Sequence, residues 1–143
     1  MKILTKNQKE TFNLGFLLGR NCFPGEIFCL SGQLGSGKTT LSQGIAKGLG
    51  IKKNITSPTF IIYNAYKINK NSNKIKNLIH IDAYRLTGIK DLESIGFFDL
   101  LKQKDIVLII EWGEKIKKHL SPKTIFIEIK LKKEPEEREI FIS

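Results

Sequence analysis

The sequence predicts an α/β fold in which helices flank a central mixed β-sheet. Short apolar runs that are rich in β-branched residues, such as Ile106–Glu111, are typical of buried strands. Other stretches carry apolar residues at helical spacing, as in Leu41, Ile45 and Leu49. The length of 143 residues suits one domain over residues 1–143, with a core large enough to need no metal or disulfide for stability.

The first elements follow from local signals. Thr5–Gln8 has the pattern of a capping box and predicts a helix that continues to about Arg20. After a Pro-Gly turn, Ile27–Leu30 is predicted to be a buried strand. A glycine-rich loop separates this strand from a helix that begins near Lys38 and ends near residues 48–50.

The second half of the chain contains more strands than helices. Thr59–Tyr66 and Ile75–Asp82 are predicted as a hairpin whose loop is the polar stretch Lys67–Asn77. Asp91–Lys102 mixes helical and turn signals around Gly96. The remaining predicted elements are the strand Ile106–Glu111, a short helix Lys115–Leu120, and the strands Ile125–Leu131 and Arg138–Ile142.

Composition excludes several classes of protein. Apolar residues make up 41% of the chain and charged residues 27%, as in ordinary globular proteins. No apolar run approaches the roughly 20 residues that cross a bilayer, and the N-terminal residues lack the apolar stretch of a signal peptide. The two cysteines, Cys22 and Cys29, form no metal-binding spacing. We therefore expect a cytoplasmic protein in a reducing compartment, with no membrane partner.

The net charge of +10 has two interpretations. Of the 24 basic residues only Arg20, Arg85 and Arg138 are arginine, which is the residue best suited to bidentate phosphate contacts. The excess of lysine, isoleucine and asparagine is typical of a compositional bias. The alternative is that the charge helps to dock an RNA or an acidic partner.

Residues Gly32–Thr39 match the phosphate-binding pattern GxxxxGK[ST] at every fixed position. Glycines let the backbone bend so that N–H groups point at phosphate oxygens, and the helix that follows directs its positive end at the same place. Lys38 can reach the β- and γ-phosphates, and the Thr39 hydroxyl can bind Mg²⁺. A chance glycine-rich turn would not explain the strand before it and the helix after it. The predicted nucleotide contacts are Gly32, Gly35, Ser36, Gly37, Lys38, Thr39 and Thr40.

A P-loop nucleotidase also needs an acid at a strand end to hold the Mg²⁺ shell. Asp82 and Glu111 each end an apolar strand, and the residues alone leave open which one contacts the metal. His80 shares a strand face with Asp82 and is a candidate general base or a structural histidine. Trp112, the single tryptophan, either packs in the core or forms a wall of the nucleotide site.

The segment Ser57–Phe60 (SPTF) lies about 20 residues beyond the phosphate loop. Pro58 fixes the backbone and Thr59 offers a hydroxyl, and segments of this kind can be ordered by the γ-phosphate and Mg²⁺ in P-loop switches. The alternative is a simple turn before a strand.

Four segments, GQLGSGKTT, SPTF, HIDAYRL and IIEWGE, occur in an order and at separations that resemble the bacterial TsaE (YjeE) ATPases. The resemblance covers nearly the whole chain, and that family works in threonylcarbamoyladenosine modification of tRNA position 37. Gln33 departs from the pattern, because the family usually has an acidic residue there, and the segment after Pro122 matches loosely.

The resemblance implies a small P-loop fold and a Mg²⁺-dependent ATPase that binds ATP as a subunit. Its implied partners are TsaD and TsaB, whose complex it resets between modification cycles. An indirect contact with tRNA is a further expectation, and the sequence leaves open whether tRNA is contacted directly. By similarity, Lys38 and Thr39 bind phosphate and Mg²⁺, and Glu111 is the metal ligand. Asp82 is implied to act in hydrolysis and Thr59 to sense the γ-phosphate during catalysis, and we include Trp112 among the nucleotide contacts.

Two other functions use the same motifs. A small-molecule or nucleoside kinase would commonly need an arginine-rich lid, for which three arginines are too few. A nucleotide-dependent RNA-binding module fits the positive charge but lacks an aromatic stripe for stacking bases.

Overall fold

A computed structural model of the chain describes residues 1–56, 63–69 and 74–143. Seven strands form one sheet: β1 (Lys2–Thr5), β2 (Ile27–Ser31), β3 (Tyr63–Lys67), β4 (Asn77–Asp82), β5 (Ile106–Glu111), β6 (Ile125–Leu131) and β7 (Arg138–Ile142). The helices are α1 (Gln8–Asn21), α2 (Lys38–Gly48), α3 (Ile89–Ser94), α4 (Phe97–Lys102) and a 3₁₀ helix (Gly113–His119). No helix in these ranges is both long and apolar enough to cross a membrane.

The sheet is mixed, with the strand order β1-β7-β6-β2-β5-β4-β3. Its central strands β6, β2, β5 and β4 are parallel, whereas β1, β7 and β3 pair in the antiparallel sense. The carboxyl ends of β2, β4 and β5 consequently meet at one edge of the sheet, where ligands of open α/β sheets bind. The predicted α/β architecture is confirmed.

Each face of the sheet packs against its own set of helices. Alternate strand residues such as Leu30 and Ile109 join the core formed with α1 and α2. Their neighbours, such as Leu108 and Ile110, join the core formed with α3, α4 and the 3₁₀ helix. Because both faces are covered at the centre of the sheet, β2 and β5 are nearly continuous apolar runs in the sequence.

Helices α1 and α2 are in unusually close contact. A Cβ atom added at Gly15 or Gly19 of α1 would overlap a carbonyl oxygen of α2, and one added at Gly44 or Gly48 would overlap a carbonyl oxygen of α1. Four glycines thus let the two backbones touch. This contact holds α1 against the helix that follows the phosphate loop.

The first helix begins later than the capping box predicts. Thr5 ends β1, and its hydroxyl lies 2.8 Å from that of Thr11. The N-cap is Asn7, whose side chain accepts a hydrogen bond from the N–H of Glu10 at 2.9 Å. The Glu10 carboxylate in turn accepts from the N–H of Lys6 at 2.8 Å. The prediction that Thr5–Gln8 caps the helix is therefore wrong by two residues, because β1 occupies Thr5.

The other predicted elements are found with shifted bounds. β3 and β4 form the predicted antiparallel hairpin, although residues 57–62 and 70–73 lie outside the described part of the chain. The stretch 91–102 is two short helices separated at Gly96, whose φ of +72° favours glycine. The predicted short helix near residue 115 is the 3₁₀ helix.

Candidate functional site

The phosphate loop connects β2 to α2 and depends on glycine at three positions. Gly32, Gly35 and Gly37 have φ angles of +143°, +75° and +108°, which side chains rarely adopt. A Cβ at Gly32 would also overlap the carbonyl oxygen of Ile129 on β6. Gly37 is the N-cap of α2 and contributes no capping side chain, so the first-turn N–H groups remain suited to an anion.

Lys38 is the first residue of α2 and is only 5% exposed. Its Nζ atom donates to the carbonyl oxygens of Gly32 at 2.7 Å and Gln33 at 3.0 Å, and it lies 3.9 Å from the centre of the Trp112 ring. Burial lowers the pKa of Lys38, and the nearby Glu111 carboxylate opposes that shift. Gln33 therefore contributes its backbone carbonyl oxygen, and not its side chain, to the Lys38 contact.

Glu111 ends β5 and is 3% exposed, with three donors around its carboxylate. Oε1 accepts from the Ser42 hydroxyl at 3.1 Å and from His80 Nε2 at 2.8 Å, and Oε2 accepts from the Thr39 hydroxyl at 3.3 Å. Burial by itself would raise the pKa of Glu111. The His80 hydrogen bond and charge, the Ser42 bond and the Lys38 charge outweigh burial, so its pKa is below the ordinary value and it is ionised at neutral pH.

The His80 ring is enclosed beside Glu111 and is not exposed to the cavity surface. It is fully buried, and its Nε2 atom is hydrogen-bonded to the Glu111 carboxylate. Of the two roles that the sequence left open, this favours a structural histidine over a general base. A general base must reach the proton that it removes. The buried His80 ring contacts Glu111 instead and does not reach the open cavity where a water would be deprotonated.

Asp82 lies beside Glu111, because the two residues pair in the register of β4 and β5. Its Oδ1 atom accepts the N–H of Tyr84 at 2.9 Å, which fixes the carboxylate at the end of the strand. Both acids line one open cavity together with the phosphate loop. The lining residues are Leu34, Gly35, Gly37, Lys38, Thr39, Thr40, Asp82, Glu111 and Trp112.

Trp112 combines both of the roles that the sequence left open. Its φ of +59° is unusual for a non-glycine residue and turns the chain directly after Glu111. The ring packs against the core formed with α3, α4 and the 3₁₀ helix, and its centre lies 5.0 Å from the centre of the Tyr84 ring. The ring also lines the cavity and stacks on the Lys38 ammonium group, so it forms a wall of the site.

A second cavity lies on the other side of the phosphate loop. It shares Gly35, Gly37 and Thr40 with the first cavity, and its other lining residues are Gln8, Thr11, Pro135, Glu136 and Arg138. Gln8 and Thr11 come from α1, Pro135 and Glu136 from the turn between β6 and β7, and Arg138 from the start of β7. Sequence reasoning missed Gln8, Thr11 and Glu136, because no local motif marks residues that are brought to the loop from distant segments.

The described residues thus bring together most of the predicted site. Lys38, Thr39, Asp82, Glu111 and Trp112 surround one cavity. Thr59 lies outside the described ranges, so its assignment stays a prediction. Across residues 1–56, 63–69 and 74–143, no three His, Cys, Asp or Glu side chains cluster as a metal centre.

Comparisons with known proteins agree with this geometry. A family model described as "Threonylcarbamoyl adenosine biosynthesis protein TsaE" matches residues 5–140. A relative from Treponema pallidum, named tRNA threonylcarbamoyladenosine biosynthesis protein TsaE, is 33% identical over 92% of each chain. One of the same name from Streptomyces coelicolor is 40% identical over 71% of this chain and 66% of its own length.

A solved structure gives the same result at the level of the fold. The crystal structure of Bacillus subtilis YdiB aligns with a TM-score of 0.73 and 32% sequence identity. The alignment covers 99% of this chain and 83% of that chain. Together with the family model, which covers nearly the whole sequence, these similarities show that the chain belongs to the TsaE family.

Proposed function

We propose that this protein is a Mg²⁺-dependent ATPase subunit of the machinery that makes threonylcarbamoyladenosine in tRNA. The observation that carries the proposal is the convergence of Lys38, Thr39 and Glu111 at the carboxyl edge of the sheet, beside the N-terminus of α2. Membership of the TsaE family supplies the pathway. ATP hydrolysis is the reaction that this arrangement supports best.

The phosphates of ATP would be held by the loop and by Lys38. The N–H groups of the loop and of the first turn of α2 provide a partial positive charge, and Lys38 adds a full one. The Lys38 ammonium group exchanges its contacts with two carbonyl oxygens and the Trp112 ring for phosphate oxygens. Phosphate oxygens are stronger acceptors, because a charge-assisted hydrogen bond exceeds a neutral one.

The donors beside the loop fit Mg²⁺. This metal prefers oxygen ligands, and Thr39, Glu111 and Asp82 provide a hydroxyl and two carboxylates around one cavity. Thr39 and Glu111 would hold the ion, because their side chains already lie 3.3 Å apart. When bound, Mg²⁺ neutralises charge on the β- and γ-phosphates.

Asp82 is then the residue proposed to orient the attacking water. Its carboxylate is fixed at the strand end by the Tyr84 N–H and, unlike Glu111, is only half-buried. A carboxylate that remains open to the cavity can accept a proton from water or align it. Thr59 is proposed to sense the γ-phosphate by similarity alone.

The nucleoside would lie in the second cavity. That cavity continues from the phosphate loop through Gly35, Gly37 and Thr40, and it is lined by polar side chains from α1 and the β6–β7 turn. A ligand that spans both cavities has its charged end beside the acids and its uncharged end near Gln8 and Glu136. A nucleoside triphosphate has these two ends, with the phosphates at one and the nucleoside at the other.

A partner protein is proposed because the mouth of the site is apolar and open. Leu34 at the tip of the loop is 86% exposed and lines the same cavity as Trp112. Tyr84 is 55% exposed, and the centre of its ring lies 5.0 Å from that of Trp112. Exposed apolar side chains that surround a polar cavity are typical of a surface that another protein covers. By family resemblance, we propose that TsaD and TsaB are these partners.

Calorimetry with Mg²⁺ and ATP tests the core of the proposal. Lys38→Ala should weaken binding roughly 10–150-fold, because it removes a charged hydrogen bond worth about 1.5–3 kcal/mol. Lys47→Ala, at an exposed position near the end of α2, is the matched control and should bind as the wild type does. Wild-type affinity in Lys38→Ala would refute the assignment of the loop.

Phosphate release then separates the proposed activity from its alternatives. Wild-type protein is incubated with Mg²⁺–ATP and with TsaB–TsaD, tRNA alone or a panel of nucleosides. Stimulation by TsaB–TsaD supports the ATPase subunit. Stimulation by nucleosides with transfer of phosphate to them would indicate a kinase, and stimulation by tRNA alone would indicate an RNA-binding module.

A further inference from the structure

We propose that Arg138 is a positioning residue that holds the phosphate loop in its binding conformation from the C-terminal strand. The inference rests on the proposed function, because it concerns how the same loop is made ready for phosphate. Arg138 begins β7 and lies 100 residues or more along the chain from the loop that it contacts. No part of the phosphate-binding pattern includes it.

All three nitrogen atoms of the guanidinium group donate to backbone carbonyl oxygens. Nε donates to Ser36 at 2.8 Å, and Nη2 makes a longer contact of 3.4 Å to Gly35. Nη1 donates to Pro135 at 2.7 Å and to Glu137 at 2.9 Å, both in the turn between β6 and β7. One side chain therefore joins the phosphate loop to this turn.

The Ser36 contact sets the direction of a peptide plane. In a trans peptide the C=O of one residue and the N–H of the next point in opposite directions. Because the Ser36 carbonyl is directed at Arg138, the N–H of Gly37 points in the opposite direction, away from β7. Gly37 has φ of +108° and begins the turn into α2, so its amide is one that a phosphate would meet.

A second hydrogen bond fixes the neighbouring peptide. The Ser36 N–H donates to the Gln33 carbonyl oxygen at 3.0 Å, which closes the turn at the tip of the loop. The Gln33 carbonyl also accepts from Lys38. If Lys38 exchanges this contact for a phosphate, the loop loses one bond, while the Ser36–Gln33 bond and the Arg138 bonds remain.

The geometry argues against two other roles for Arg138. An arginine that neutralises the γ-phosphate would need donors directed into the cavity that contains Asp82 and Glu111, but Arg138 lines the second cavity instead. A residue that only pairs strands would not reach the loop. β7 is held in the sheet by its backbone ladders with β1 and β6.

The test compares two ligands with and without the arginine. Isothermal calorimetry measures the binding of Mg²⁺–ATP and of Mg²⁺–tripolyphosphate, which has phosphates but no nucleoside. The proteins are the wild type, Arg138→Met, Arg138→Lys and the control Arg20→Met, which removes an exposed arginine at the end of α1. Hydrogen exchange of the amides of residues 32–37 is measured in each protein without ligand, and thermal unfolding checks the fold.

If Arg138 holds the loop, Arg138→Met weakens both ligands to the same extent, by about ten-fold or more. Arg138→Lys does not restore binding, because one ammonium group cannot serve carbonyls on both the loop and the turn. The loop amides exchange faster in both variants, and Arg20→Met matches the wild type. Should Arg138→Met fold poorly, Arg138→Lys alone gives the same comparison.

Three results would overturn the inference. Loss of ATP binding with unchanged tripolyphosphate binding would make Arg138 a nucleoside contact. Full recovery in Arg138→Lys would mean that its charge alone matters. Unchanged amide exchange of the loop in the variants would exclude a role in holding it. Failure of the wild type to bind either ligand would refute the proposed function instead, while amide exchange would still decide the role of Arg138.

Discussion

Glu111 is the residue on which the polar part of the site depends. A carboxylate that is 3% exposed is costly to bury unless it is paired, and Glu111 is surrounded by His80, Ser42 and Thr39. This arrangement fixes both of its oxygens before any ligand binds. Asp82 has fewer contacts and a more open position at the same edge. The two acids therefore suit different tasks.

We predict that isosteric changes separate these tasks. Glu111→Gln should weaken the Mg²⁺-dependent part of ATP binding by about ten-fold or more, because it removes the charge beside Thr39. Asp82→Asn should keep that binding but slow hydrolysis by about 10²-fold or more, as expected on loss of a group that acts on the attacking water. Calorimetry with a non-hydrolysable analogue, with and without Mg²⁺, measures the first effect and phosphate release the second. The reverse pattern would exchange the two roles.

Trp112 should report occupation of the site by its fluorescence. The Lys38 Nζ atom lies 3.9 Å from the centre of its ring, and the chain has one tryptophan. Binding of Mg²⁺–ATP should draw the ammonium group from the ring toward phosphate and shift the emission. Lys38→Met is the control, because its emission should already differ without ligand and change less on titration. Unchanged emission of the wild type at saturating ATP would contradict movement of Lys38.

The motif residues could be predicted from the sequence, but their supports could not. The pattern around Gly32–Thr39 fixes the loop, and the acids that end two apolar strands identify Asp82 and Glu111. The Arg138 contact joins residues 102 positions apart, so no local pattern encodes it. The stacking of Lys38 on Trp112 likewise depends on tertiary structure.

At the scale of elements, the close contact of α1 and α2 links the start of the chain to the phosphate loop. α1 contributes Gln8 and Thr11 to the second cavity, and its packing against α2 holds these residues beside the phosphate loop. Of the four glycines at this contact, Gly48 alone has a local sequence signal, the end of α2, whereas Gly15, Gly19 and Gly44 have none. Their common role appears only when both helices are seen together.

We predict that Gly44→Ala destabilises the protein although alanine favours helices. The gain in helix propensity is about 1 kcal/mol, but the new methyl group would overlap the Phe12 carbonyl oxygen and lie 3.0 Å from the Gly15 Cα atom. Overpacking against backbone typically costs about 1–3 kcal/mol, so we expect a net loss. Urea unfolding measures it. Lys47→Ala, at an exposed position of the same helix, is the control and should change stability by about 0.5 kcal/mol or less. Increased stability in Gly44→Ala would mean that the helices separate easily.

Element prediction from sequence was most reliable where burial makes the pattern strong. β5, β6 and β7 have the predicted bounds, because their apolar residues alternate or run together. β1 was not predicted, since four residues at an edge of the sheet carry little pattern and are specified by pairing with β7. Its presence moved the cap of α1 from Thr5 to Asn7.

At the scale of the whole molecule, the sheet order determines which residues meet. β4, β5 and β2 are adjacent and parallel, so their carboxyl ends place Asp82, Glu111 and the phosphate loop side by side. The antiparallel strand β7 adds Arg138 from the other direction. The sequence indicated a mixed sheet but not this order, because strand order depends on pairings between distant segments.

The same arrangement bears on how fast the isolated protein can hydrolyse ATP. Rapid P-loop hydrolysis uses an arginine to neutralise charge on the γ-phosphate, with an effect of about 10³–10⁵-fold on the rate. Arg138 already donates to four carbonyl oxygens. Arg20 lies beside Gly48 at the end of α2, about 15 Å of helix away from Lys38. Arg85 is exposed in the turn that follows Asp82.

We therefore predict slow turnover by the isolated protein, below about 1 s⁻¹, and faster turnover when TsaB–TsaD covers the open mouth of the site. Arg85→Met tests whether the positive charge that neutralises the γ-phosphate comes from Arg85 or from the partner. If Arg85 acts in hydrolysis by itself, the variant loses the slow basal rate. If the partner supplies the charge, the basal rate is unchanged and only its stimulation can fall, through weaker docking beside Tyr84. Steady-state phosphate release with increasing TsaB–TsaD distinguishes these results. A purified protein that turned over tens of ATP molecules per second without partners would show that its site is complete, and the subunit proposal would then be wrong.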